Sequence, residues 1–123
     1  MLNPESGADG GERIVKAQQI MSTVIPALDK TNVLGIFGFG SFWLPRPKKN
    51  PRDIDIAVYV KNGAIFLDGD REKIANPLAA HFNLPTQFHV LTPYTPMVKE
   101  QLLQYQIFLK EYLPLYGQAP RWL

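Results

Sequence analysis

Seven consecutive residues, Val33-Leu34-Gly35-Ile36-Phe37-Gly38-Phe39, carry no polar side chain, and that run constrains the fold more than any other stretch of the chain. A strand with one wet face alternates apolar with polar residues. An unbroken apolar strand with β-branched and aromatic members needs cover on both faces. The run ends at Gly40-Ser41, and its glycines mean that something packs closely on its backbone.

The rest of the chain must supply that cover. At 123 residues, 46% hydrophobic, it is long enough for one compact domain and too short for two ordinary ones. It has no cysteine, which excludes a disulfide framework and any thiolate zinc site. The net charge of +2 is too small to argue for nucleic acid by itself. The charge is unevenly placed, however: Arg46, Lys48, Lys49 and Arg52 crowd into one segment, and Asp53 and Asp55 follow at once. The start lacks a basic segment followed by an apolar core, and no apolar stretch has spanning length. A soluble, cytoplasmic protein with no membrane association is therefore expected.

Residues 1–11 mix glycine, proline and small polar types and read as a disordered tail, residues 12–116 as the domain, and residues 117–123 as a C-terminal tail. Ile14, Ala17, Met21, Val24 or Ile25, and Leu28 recur at helical spacing and predict a first helix, kinked or ended near Pro26. The segment from Phe42 to Arg52 holds Pro45, Pro47 and Pro51 and reads as an extended basic arm. Asp53 to Val60 alternates as a second strand, with Ile54, Ile56, Val58 and Val60 on the core face and both aspartates on the other. A second helix carries Ile74, Leu78 and Phe82, with Asp68 or Asp70 as its cap. Thr86 to Leu91 predicts a third strand. Thr95-Pro96 then opens a last helix with a stripe of Val98, Leu102, Tyr105, Leu109 and Tyr112 running up to Pro114. The fold class expected is α+β: a small mixed sheet of at least three strands packed with about three helices.

Two carboxylates two positions apart on a strand sit roughly 6.6 Å apart on one face, because each residue rises about 3.3 Å. At an effective dielectric of 20 they repel by about 2.5 kcal/mol, so the pair favours a cation. Hard oxygen donors suit magnesium, which is held by one or two carboxylates together with substrate phosphates. Gly40 lets a phosphate approach the backbone, and Ser41 offers a hydroxyl and an amide donor. A phosphate cradle beside a metal site is the geometry that nucleotidyl transfer needs.

Gly40-Ser41 and Asp53-Ile54-Asp55, on consecutive strands after a helix, resemble the signature of the DNA polymerase beta-like nucleotidyltransferase superfamily, and the length is similar to that of its minimal nucleotidyltransferases. The resemblance spans about residues 12–113. It implies the nucleotidyltransferase fold, ATP or another nucleoside triphosphate as donor, and Mg2+ or Mn2+ held by Asp53 and Asp55. Gly40 and Ser41 would contact the triphosphate, with Arg46, Lys48, Lys49 or Arg52 neutralising it. It also implies a protein partner or second copy completing the acceptor site, such as a small helical toxin.

The chain departs from that pattern twice. Leu44 stands three residues after the serine, where many members carry arginine, and Arg46 is the nearest basic substitute. Gln87 stands where a third acidic residue is often found, and an amide takes up no proton at neutral pH. His89, two positions on, could act as a base or be an ordinary strand histidine, and Asp68 or Asp70 could bring a carboxylate from a loop. Two readings of function follow. One is a metal-dependent enzyme transferring a nucleoside monophosphate, AMP from ATP by the resemblance, to an acceptor hydroxyl. The alternative is a catalytically degenerate module of the same fold that binds nucleotide or protein. A third reading uses the basic arm and Trp43 to bind nucleic acid.

Overall fold

The computed structural model describes residues 7–108 and 110–123. The apolar run forms β1 (Val33–Phe39), and the alternating segment forms β2 (Ile54–Val60). With β3 (Thr86–Leu91) and β4 (Leu113–Gly117) they make a mixed sheet in the order β3-β2-β1-β4. β1 runs antiparallel to β2 and to β4, while β2 and β3 are parallel. A parallel pair needs a crossover. The helical segment between β2 and β3 provides it: a short α2 (Gly63–Ile65), a π turn (Phe66–Asp70) and α3 (Arg71–Phe82). With α1 (Gly7–Val24) and α4 (Lys99–Phe108), three helices of ten residues or more are present among the described residues, so the α+β expectation holds.

One face of the sheet carries the main core. Ile54, Ile56, Val58 and Val60, the expected inward set, pack with Ile36 against Ala17 and Met21 of α1 and Ile74 and Leu78 of α3. Burying each such aliphatic side chain is worth about 1.5–3 kcal/mol. The second face is only partly dry. Phe37, Phe39, Ala57, Tyr59 and Leu91 form a smaller cluster covered by Tyr105 of α4 and by Ala119, Trp122 and Leu123. Toward the start of β2 this cover stops, and that is where Asp53 and Asp55 lie. No described helix is long and apolar enough to cross a membrane.

Several local expectations are corrected. α1 starts at Gly7, inside the segment read as a tail, and Gly10 lies so close to the Pro45 carbonyl that no side chain would fit there; residues 1–6 of that segment lie outside the described residues. The turn at Pro26 is a 3-10 turn over Ile25–Ala27, as its proline demands. The cap after β2 is Asn62, whose side-chain oxygen accepts from the amides of Ala64 and Ile65. Asp70 adjoins α3 but makes no side-chain cap. It is buried instead, accepting from the Asp29 amide at 3.0 Å and pairing with Lys73 at 3.2 Å.

The last helix is shorter than its stripe. α4 ends at Phe108, Leu109 lies outside the described residues, and Leu113–Gly117 is an edge strand that tolerates Pro114 because an edge can lose one donor. The expected C-terminal tail is docked: the Trp122 indole donates to the Thr92 carbonyl at 2.7 Å and lies against Tyr105.

Candidate functional site: a carboxylate pair beside a glycine-serine turn

The register of the sheet assembles the site. Phe39, the last residue of β1, lies opposite Asp55, and Gly40-Ser41 therefore turns off the sheet directly beside that carboxylate. Gly40 has φ 82° and ψ −173°, a backbone conformation open essentially only to glycine. A Cβ there would stand 2.8 Å from Asp55 Oδ2. The chain thus uses a residue without a side chain to bring backbone and carboxylate together. Ser41 begins a 3-10 turn, Ser41–Trp43, whose Phe42 and Trp43 are buried.

That turn is held from two sides, by Trp43 and by Arg13. The Trp43 indole packs on Gly38, and its N–H donates to the Asp55 backbone carbonyl at 2.9 Å. Trp43 is therefore a buried strut and is not available to stack on a nucleic-acid base. Arg13 of α1 donates from Nε to the Phe42 carbonyl and from a terminal nitrogen to the Leu44 carbonyl, each at 2.9 Å, with its guanidinium 5.3 Å from the Phe42 ring centroid. A guanidinium thus reaches the backbone at Leu44 from another element. The only sequence signal for it was a basic residue at the edge of the α1 apolar stripe.

Asp53, just before β2, and Asp55, within it, share the face turned from the main core and are close enough to hydrogen-bond to one another. Partial burial pushes the Asp53 carboxyl above the usual carboxylate range; the negative charge of Asp55 and the shared hydrogen bond add to this, and His89 opposes it. His89 Nε2 is 3.7 Å from Asp55 Oδ1, and its ring stands edge-on to Phe39 with centroids 4.9 Å apart. Gln87 is the register partner of Asp55 across the parallel pair, on the strand where the motif pattern puts a third acid, and it is solvent-exposed.

A cleft of about 690 Å³ opens at this end of the sheet, walled by Ser41, Lys49, Asn50, Pro51, Arg52 and Asp53. Of the four arm cations, Lys49 and Arg52 line it; Arg46 and Lys48 are exposed and do not. Asp70 is not brought to the site. It is tied to Asp29, on the turn that leads into the far end of β1, and Asp68 is exposed in the adjoining π turn. Among the described residues no three His, Asp or Glu side chains converge as a metal cage. The donor set instead fits a hard divalent cation held by two carboxylates and completed by phosphate oxygens.

No family model and no curated protein sequence matches the chain. Among solved structures, a chain of a rebuilt and re-refined complex, described as tri-AMPylated Shewanella oneidensis HEPN toxin with MNT antitoxin, aligns with a TM-score of 0.46 and 20% identity, over 83% of this chain and 73% of that one. That likeness is too loose to decide the resemblance drawn from the motifs.

Proposed function

We propose that the cleft binds a nucleoside triphosphate and that the protein is a metal-dependent nucleotidyltransferase, passing a nucleoside monophosphate, AMP if the donor is ATP, to an acceptor hydroxyl. The observation that carries this reading is the cleft wall itself, where Ser41, Lys49 and Arg52 meet Asp53 while Asp55 abuts Gly40. The Ser41 hydroxyl and the glycine-serine backbone hold phosphate oxygens, and Lys49 and Arg52 offset the charge of the pyrophosphate. Asp53 and Asp55 would hold Mg2+ or Mn2+, which supplies charge neutralisation and alignment of the in-line displacement. The bond from the acceptor oxygen to the α-phosphorus forms as the bond to the pyrophosphate oxygen breaks. The acceptor proton passes to a base, for which His89 is the nearest imidazole on this face. The acceptor comes from a second molecule, for which exposed Tyr94, Met97, Val98 and Leu103 offer an apolar surface at and beside α4.

The test is transfer of label from α-phosphate-labelled ATP with magnesium into cell extract, comparing wild type with Asp53→Asn/Asp55→Asn. Label that depends on both aspartates supports the enzyme. Equal label with the double variant removes it. The degenerate binding module is favoured by one observation, the exposed Gln87 beside Asp55. It predicts nucleotide binding that needs both aspartates, with no label transferred.

A further inference from the structure

The 3-10 turn Ser41–Trp43 sets where Ser41 stands on the wall of the cleft. It is closed by two main-chain bonds at 3.2 Å, from the Trp43 amide to the Gly40 carbonyl and from the Leu44 amide to the Ser41 carbonyl. A 3-10 turn this short has poor hydrogen-bond geometry and little stiffness of its own. It also leaves carbonyls over at its end, where no following turn donates to them. Those carbonyls belong to Phe42 and Leu44.

Arg13 takes both of them, 29 and 31 residues away in the chain. A planar guanidinium presents its donors in a rigid fork, so two carbonyls bonded to it are held at one spacing, which a single ammonium does not do. The Phe42 ring, fully buried, lies 5.3 Å from the guanidinium and fixes its seat. α1 meets the chain again just beyond, where Gly10 abuts the Pro45 carbonyl. Arg13 lines a separate cavity of about 370 Å³ on the helix side, with Lys16, Pro47 and His81, and is not on the wall that carries Ser41, Lys49, Arg52 and Asp53. Its route to the cleft is therefore the main chain of the turn.

We infer that Arg13 is a positioning residue for nucleotide binding, resting on the reading of the cleft as a triphosphate site: by holding the carbonyls of Phe42 and Leu44 it fixes Ser41 against the phosphates. The helix α1 thus takes part in the site without touching the ligand.

The experiment is a Mg-ATP titration of wild type, Arg13→Met, Arg13→Lys, Ser41→Ala and Arg13→Met/Ser41→Ala, each shown to be folded by its thermal melt. Misplacing a binding group by a fraction of an ångström is felt strongly, so Arg13→Met should weaken Mg-ATP binding by about tenfold. Arg13→Lys keeps the charge and loses the fork, and should still weaken binding by about threefold or more. Most of the Arg13→Met loss should vanish in the Ser41→Ala background, because residues acting through one group are not additive. Wild-type affinity in Arg13→Lys overturns the inference, since charge and not the fork would then matter. So does an equal loss from Arg13→Met with and without the Ser41 hydroxyl, or wild-type affinity in folded Arg13→Met. Hydrogen exchange reads the same device with no nucleotide present: the Trp43 and Leu44 amides should lose protection in Arg13→Met while those of β2 keep it. If wild type itself binds no Mg-ATP, the proposed function fails, and unchanged exchange at Trp43 and Leu44 would show separately that Arg13 does not set the turn.

Discussion

Replacing Gly40 by alanine tests whether the turn and the carboxylate form one device. The new Cβ would lie 2.8 Å from Asp55 Oδ2 and 3.6 Å from its Cβ and Cγ, so the clash falls on the carboxylate and not on its stem. The oxygen has to move by about half an ångström to reach ordinary contact. The backbone at φ 82° and ψ −173° adds a cost of about 1–3 kcal/mol for any residue with a side chain. For a domain of this size each kcal/mol lowers the melting temperature by roughly 4 °C, which gives a loss of about 4–12 °C. Displacing a positioned group by even a fraction of an ångström costs binding and rate, so metal-dependent ATP affinity should fall by about tenfold or more. Thermal melts followed by Mg-ATP titration of the folded variant read both effects. Gly11→Ala is the control: nothing lies within 4 Å of a Cβ there, and alanine is favoured over glycine in a helix by about 1 kcal/mol, so it should stabilise. A Gly40→Ala protein that melts and binds like wild type would refute the reasoning.

Trp43→Phe keeps the buried ring but removes the N–H that reaches the Asp55 carbonyl; it should cost about 1 kcal/mol in urea unfolding and weaken Mg-ATP binding, and unchanged binding would make Trp43 a packing residue only. Asp53 has its carboxyl pushed up in the folded state, so between the ordinary carboxylate value of 3.8 and that raised value the folded protein binds the extra proton. Its contribution therefore makes unfolding free energy rise as pH falls through that window, and Asp53→Asn should stabilise the metal-free protein at pH 7 and remove that slope. Asp29 shifts downward, chiefly through the Thr31 hydroxyl, so its contribution is present above 3.8 and lost as acid protonates it; Asp29→Ala should flatten the acid limb of the melting curve. Asp70→Ala leaves the Asp29 amide without its partner and should cost about 1–3 kcal/mol while leaving Mg-ATP binding intact; a loss of nucleotide binding without a loss of stability would return Asp70 to the site.

The parts legible in the sequence are those written in short-range pattern. The unbroken apolar run placed β1, alternation placed β2 and its core face, and the glycine-serine and Asp-x-Asp motifs named residues that the sheet register brings side by side. What escaped depends on contacts far apart in the chain. Arg13 meets Leu44 across 31 residues, and nothing around Arg13 marks its partners as backbone carbonyls. Trp43 looked like a surface aromatic on a basic arm because only the fold shows that Gly38 leaves room for an indole. β4 was hidden because the leucines and tyrosines from Tyr105 to Tyr116 also satisfy a helical stripe, and the strand exists by pairing with β1. Asp70 sits where a cap belongs, and its burial against Asp29 is tertiary.

The two tryptophans occupy opposite surroundings, one wedged under the carboxylate strand and the other clasping the Thr92 carbonyl at the far cover of the sheet. A Trp122→Phe protein would carry a single tryptophan, hydrogen-bonded to the backbone of Asp55. Its emission colour and lifetime would then register, without any added dye, each event that shifts that strand end: nucleotide entry, cation capture, or the first loosening of the turn on heating.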